Sequence, residues 1–257
     1  MENEKENKFL FILAVTLLAI LILMVFVKIF IFDKNKEKIT EVPESLIKEL
    51  YSYLDVKNVN NEASFYLSEY IDSQNLSWST ISRVTYNYIN KYDNLKIKSV
   101  DENDKKDFKE NGTLISKIKI TEFKDEILHI FKKTNLNLDE HFNRFDIDEN
   151  TSAIVNNDYL FIYKRNEPIE NNFIYYRGLT SYTLLDDLNK IQITEYYLAC
   201  NKETKYCYDN DRYDKIANGI TYVEGLDAST MTNRLKKYVH TFEKIDGNYK
   251  WINIESA

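Results

Sequence analysis

Proline and glycine are scarce, two and five in 257 residues. That excludes a collagen-like repeat and long flexible linkers. Histidine is limited to His129, His141 and His240, none beside a cysteine or in a His-x-x-x-His spacing. Cysteine stops at Cys200 and Cys207, so neighbouring residues assemble no tetrahedral zinc set. There is no Gly-x-Ser-x-Gly elbow, phosphate-binding glycine loop or Rossmann fingerprint. No repeat recurs at a solenoid period. Neither a metal nor a cofactor is expected from these patterns. Clustered positive charge is also missing: the chain carries −7, and the part beyond residue 43 carries −7 by itself. An acidic body disfavours nucleic acid and other phosphate polymers as partners.

What is present begins at the start. Residues Phe9 to Val27 run nineteen positions without a charge, and Thr16 is their only polar side chain. Ile29 to Phe32 extend the run beyond Lys28. A hydrocarbon layer of roughly 30 Å needs about 20 helical residues, so residues 9–32 can span it and contact membrane lipid. A cleaved signal peptide would have an apolar region of about 7–15 residues and a small-residue cleavage site. The longer run followed by Phe-Ile-Phe-Asp-Lys favours an uncleaved anchor. The division is a head (1–8), a transmembrane helix (9–32), a tether (33–43) and a body (44–257). The body reads either as one domain or as a helical 44–110 and a β-rich 111–257.

Lysine counting alone sets the body inside the cell, because Lys34, Lys36 and Lys38 outnumber Lys5 and Lys8. The cysteines argue the other way. Aromatic and aliphatic residues flank Cys200 and Cys207, with Asn-Lys-Glu-Thr-Lys between, which reads as a hairpin with Glu203-Thr204 at its tip. Directly opposed strand residues have Cα atoms about 4.5–5.5 Å apart, within reach of a disulfide. Such bonds persist in oxidising compartments. Two separate thiols are the competing reading; the bonded one is favoured and sets the body outside.

Along the body, Leu46, Ile47, Leu50, Tyr51 and Leu54 repeat at helical spacing behind Pro43. Helices are also expected over 62–71, over 78–92 with Ser77 as cap, and over 121–133 with Thr121 as cap. Residues 101–111 read as a charge-dense loop. Short strands are expected near 95–100 and over 113–120. The last hundred residues read as antiparallel sheet: strands at 159–164, 173–185, 191–200 and 206–208, a break over 209–233 with a helical turn at 212–217, then a hairpin of 235–245 and 248–254 around Asp246-Gly247. The fold class is α+β, helices first and then a mainly antiparallel sheet. Twenty tyrosines suit strands with one wet face.

Candidate sites are few. Asp146, Asp148 and Asn150 occupy positions 1, 3 and 5 of a calcium loop, but Thr151 and Asn157 stand where Gly and Glu are needed. Asp209-Asn-Asp211 fails at Tyr213. His129 reads as exposed, and His240 as a packed, hydrogen-bonded residue. A two-carboxylate hydrolase stays open, because sequence does not give the separation of any pair.

The single span, the Tyr/Phe-rich sheet with its Cys hairpin, and the ending Lys237-Tyr-Val-His-Thr-Phe-Glu-Lys244 then Gly247-Asn-Tyr-Lys-Trp251 together resemble uncharacterised single-span membrane-anchored proteins of low-GC Gram-positive bacteria. The helix ending in Ile130-Phe131 resembles the one preceding the sheet in that group, where Phe-Gly often stands at the position of Phe131-Lys132. The resemblance implies an exported domain and carries no functional residues across. The leading expectation is therefore a membrane-anchored envelope protein, a non-enzymatic module binding a protein or a wall component. The alternative is an envelope hydrolase with a carboxylate pair.

Overall fold

The closing hairpin shows how local chemistry sets the architecture. Asp246 and Gly247 both take positive φ, 53° and 87°, as a two-residue type I′ turn requires. They join β11 (Lys236–Ile245) to β12 (Asn248–Ser256), with Ile245 opposite Asn248 and a register shift between Thr241 and Phe242. On its other edge β11 pairs with β8 (Lys190–Asn201), and β8 pairs along its length with the thirteen-residue β7 (Phe173–Leu185). A strand has two edges, so β9 (Tyr206–Tyr208) shares the β11 edge of β8, at Ala199 and Cys200. With β10 (Ile216–Thr221) on β9 and β1 (Tyr70–Asp72) on β12, this makes a seven-stranded antiparallel sheet.

A second, five-stranded sheet runs in the order β2 (Lys98–Ser99), β3 (Gly112–Lys119), β6 (Tyr159–Arg165), β5 (Thr151–Asn156), β4 (Arg144–Asp146). Helices α1 (Glu44–Tyr53), α2 (Trp78–Tyr92) and α4 (Ile120–Ile130) pack together. Each buries the stripe that its spacing announces: Ile47 and Leu50; Ile81, Val84 and Ile89; Phe123, Ile127 and Ile130. Ser77 caps α2 by accepting from the Thr80 N–H at 3.2 Å. The end of α4 is tied to the large sheet, where the Lys132 N–H donates to the Trp251 carbonyl at 3.2 Å.

This computed structural model describes residues 42–54, 65–66, 68–133, 144–185, 188–211, 213 and 216–257. Residues 44–257 form one unit in it. The anchor expected over 9–32 lies outside the described residues; among those described, no helix is long and apolar enough to cross a membrane. The class is α+β with a mostly antiparallel sheet and few helices.

Several local expectations are corrected. Residues Tyr70 and Ile71, placed in a helix over 62–71, form β1 opposite Glu255 and Ile254; 62–64 and 67 lie outside the described residues. The charged stretch 101–111 contains α3 (Glu102–Asp107). No apolar stripe announces it; a capping box makes it. Asp101 Oδ1 accepts from the Asn103 and Asp104 N–H groups at 2.9 Å each, and Asp104 Oδ2 accepts from the Asp101 N–H at 2.8 Å. Helix α4 begins one residue earlier than expected, with Lys119 rather than Thr121 at its N-cap. Ile216 and Ala217, placed in a helical turn, lie in β10.

Valine at position 247 has to adopt a left-handed backbone, a cost of roughly 1–2 kcal/mol. Gly247→Val is expected to lower unfolding stability by that amount in urea titration, with the transition slope unchanged.

Candidate functional site

Two residues carry an unusual signal once the strands are placed. Arg177 is the only charged side chain of β7, and Glu195 lies in β8 between Ile193 and Tyr197, both buried. Arg177 is opposite Tyr197 and Glu195 is opposite Leu179, so arginine and glutamate are diagonal neighbours on one face. On the other side of β8, His240 of β11 is opposite Ile193 and is also diagonal to Glu195. The three meet. Glu195 Oε2 accepts from Arg177 Nε at 2.8 Å, with Nη2 at 2.7 Å, and from the Tyr51 hydroxyl of α1 at 3.1 Å. Its Oε1 accepts from the Tyr66 hydroxyl and from His240 Nε2, both at 2.6 Å.

The proton on His240 is fixed by its other neighbour. Trp251 Nε1 donates to His240 Nδ1 at 3.0 Å. An indole N–H can only donate, so Nδ1 accepts and the proton sits on Nε2, facing Glu195. The imidazole is fully buried, and that burial lowers its pKa. The Glu195 carboxyl is also fully buried. Burial pushes its pKa up, but the Arg177 charge and the His240 and Tyr66 hydrogen bonds outweigh that and hold it at about 2. Glu195 is thus an ionised carboxylate with both oxygens engaged, not a proton donor.

Above this cluster lies a concavity of about 780 Å³. Phe173, Tyr175 and Arg177 line it from the face of β7 that carries the cluster, together with Tyr51 and Tyr66. Ile174 and Tyr176 line it from the opposite face, beside Tyr196. The Tyr196 ring folds over Gly178, directly across the pair; a Cβ at position 178 would meet that ring at 2.6 Å. Leu226 to Ser229, at the 3₁₀ turn Ala228–Met231, close the second side. Glu149, Ile169, Asn171 and Lys202 form polar and apolar parts of the rim. Among the described residues no histidine lines the cavity. Burial raises the hydroxyl pKa of Tyr51 and Tyr175 far above the usual phenol value, so both stay protonated. The Ser229 hydroxyl donates to Asp227 Oδ1 at 2.6 Å.

The residues singled out from sequence fall mostly outside this cavity. Cys200 and Cys207 are directly paired across β8 and β9 and joined in a disulfide, with Cα atoms 4.0 Å apart. The bond is buried with Leu198, Ala217, Ile220 and Leu235 in a second core on the side of the sheet away from Glu195. His129 is half-buried, with Nε2 3.3 Å from the Tyr88 hydroxyl. His240 is buried and hydrogen-bonded. His141 lies outside the described residues. Asp146 ends β4, where it accepts from Ser152 at 2.9 Å and pairs with Arg165. Asp148 turns the chain into β5, accepting from the Asn150 N–H at 2.7 Å. Among the described residues no three metal-ligating side chains gather. The Arg177–Glu195 pair was missed, although one lone charge in each of two apolar strand stretches was its signal.

Both buried groups make stability depend on pH in the same direction. His240 has a folded pKa below 6.5, and Glu195 a folded pKa of about 2 against 4.5. In each case the unfolded chain binds more protons, so stability is full above the unfolded pKa and is lost as pH falls. Stability is expected to decline below pH 6.5 and again below pH 4.5, the Glu195 part amounting to about 3 kcal/mol. Glu195→Gln leaves the half-buried Arg177 without its counter-charge, at a cost of about 3 kcal/mol. Urea titrations from pH 7 to pH 3 check both, the variant showing a flatter acid limb.

No family model, no curated protein and no solved structure matches this chain.

Proposed function

We propose that this protein is a membrane-anchored, non-catalytic binding module, held by residues 9–32 with its body outside the cell, and that the cavity on β7 receives a partner protein or wall component. One observation carries the reading: a cavity of about 780 Å³ lined by the half-buried rings of Tyr51, Phe173, Tyr175 and Tyr176, over ionisable groups that already neutralise one another. Its volume lies in the range of ligand sites, and its rings alternate with polar side chains that can orient a bound group. Its chemistry supports binding. The carboxylate beneath it holds four donor residues, its phenols stay neutral, and its serine is engaged by Asp227. Among the described residues the buried acids elsewhere are paired too, Asp146 with Arg165 and Glu126 with Lys96. The long apolar run supports the anchor. The Cys200–Cys207 bond supports an oxidising surrounding for the body.

Full-length protein in detergent, titrated with solubilised wall fragments and with peptides, is expected to bind saturably and release no product. Tyr176→Ala should weaken binding at least tenfold while leaving the melting temperature within a few degrees. Hydrolysis that disappears on one side-chain change removes the proposal. In intact cells a protease that cannot cross the membrane should digest the body; a body cleaved in lysed cells yet shielded in intact ones would lie inside.

A further inference from the structure

The cavity does not sit on one face of the large sheet. It wraps around an edge. Phe173, Tyr175 and Arg177 line it from one face of β7, Ile174 and Tyr176 from the other. The outer edge of β7 lies between these two sides, and among the described residues no strand pairs with it there.

The direction of the main chain can be read from one hydrogen bond. The Lys202 N–H donates to the Asn172 carbonyl at 2.7 Å, so Asn172 faces β8. In an antiparallel pair the facing alternates. Residues 174, 176 and 178 therefore turn their N–H and C=O toward β8. Phe173, Tyr175 and Arg177 turn theirs outward, into the cavity. The Phe173 N–H is already met by Asn171 Oδ1 at 3.0 Å, which fits that direction. An added strand would lie about 4.8 Å further out and send alternate side chains to the two sides of the sheet. Both sides hold apolar or aromatic walls to receive them: Tyr51 and Tyr175 on one, Tyr176 and Leu226 on the other.

Charge narrows the occupant. Arg177 is neutralised by Glu195. Among the described residues that line the cavity, the other acidic and basic side chains are three carboxylic acids, Glu149, Asp211 and Asp227, against one amine, Lys202. Building on the binding-module reading, we infer that the cavity takes an extended, cationic peptide as an additional antiparallel or parallel strand on the outer edge of β7, with apolar side chains at alternate positions. Main-chain bonds to Tyr175 supply the affinity, and the two walls supply the choice of side chain.

The test uses the full-length protein in detergent with a pooled set of decapeptides alternating Val, Ile or Tyr with Lys. Hydrogen–deuterium exchange of the segment 173–179 is followed at residue level. The Tyr175 amide, outward and fast in the free protein, should slow at least tenfold with the pool. The same pool N-methylated at alternate residues should give no slowing, and a Glu-for-Lys pool should bind at least fivefold more weakly at low salt. Unchanged exchange at Tyr175 across the whole cationic pool overturns strand addition. So does equal slowing by the N-methylated pool. Saturable binding of an N-acetylglucosamine trimer in the cavity, with Tyr175 exchange unaltered by any peptide, overturns strand addition while leaving the binding module standing. Cleavage of either probe that a cavity substitution abolishes overturns the binding module itself.

Discussion

One buried carboxylate, Glu195, ties the centre of the large sheet to the segments around it. Taking a charged group out of water costs several kcal/mol unless its partners are well placed. Glu195 meets that cost with donors 144, 129, 18 and 45 residues away in sequence: Tyr51, Tyr66, Arg177 and His240. These come from a helix, the chain just before β1, and the strands on both sides of β8. Apolar contacts alone tolerate small displacements, whereas this set of hydrogen bonds does not. A slip of one residue in β8 would turn Glu195 to the opposite face, toward Leu198 and the Cys200–Cys207 bond, and would leave Arg177 without its counter-charge. The carboxylate therefore fixes register as well as position. A second buried pair, Asp146 with Arg165, occupies the small sheet in the same manner, with Ser152 bonded to both.

The sequence made the strongly periodic elements legible. The stripe Ile81–Val84–Ile89 named α2 together with its Ser77 cap, and Asp246-Gly247 named the final hairpin, because in each the information is local. It was silent where structure came from elsewhere. Tyr70 and Ile71 have apolar neighbours that read as helical; they are strand only because β12 passes beside them. Helix α3 has no buried residue, so periodicity had nothing to report, and its Asp101-x-x-Asp104 caps were the only local sign. The candidate site was harder still. Its lining comes from α1, β7, β8 and the turn at 228–231, and no spacing rule links such distant segments. What local sequence did hold was the paired oddity of Arg177 and Glu195, each a charge where the pattern asks for an apolar residue.

Burial on both faces explains why β8 departs from simple alternation. Tyr196 through Cys200 are all buried; the Tyr66 segment covers one side at Tyr197, while β10 and the 3₁₀ turn cover the other. A strand covered on both faces reads as a continuous apolar run. The disulfide belongs to this arrangement. It ties β9 to the end of β8 and so holds in place the chain that follows, from which Asp211 accepts the Tyr197 hydroxyl and the Asp209 carbonyl accepts the Tyr238 hydroxyl at 2.9 Å.

The edge at β7 poses the opposite problem. Thirteen residues of strand offer a template to any chain, and proteins blunt such edges with bulges, inward charges and covered ends. All three devices are here. The register shift between Leu179 and Ser181 interrupts the middle, Arg177 directs a charge inward to Glu195, and Asn171 covers the first outward N–H at Phe173. What they leave is a short stretch centred on Tyr175, walled by aromatic rings on both sides. The guanidinium that completes the buried cluster is thus the same group that limits pairing along the edge. A substitution at Arg177 therefore disturbs the Glu195 cluster and the edge strand together.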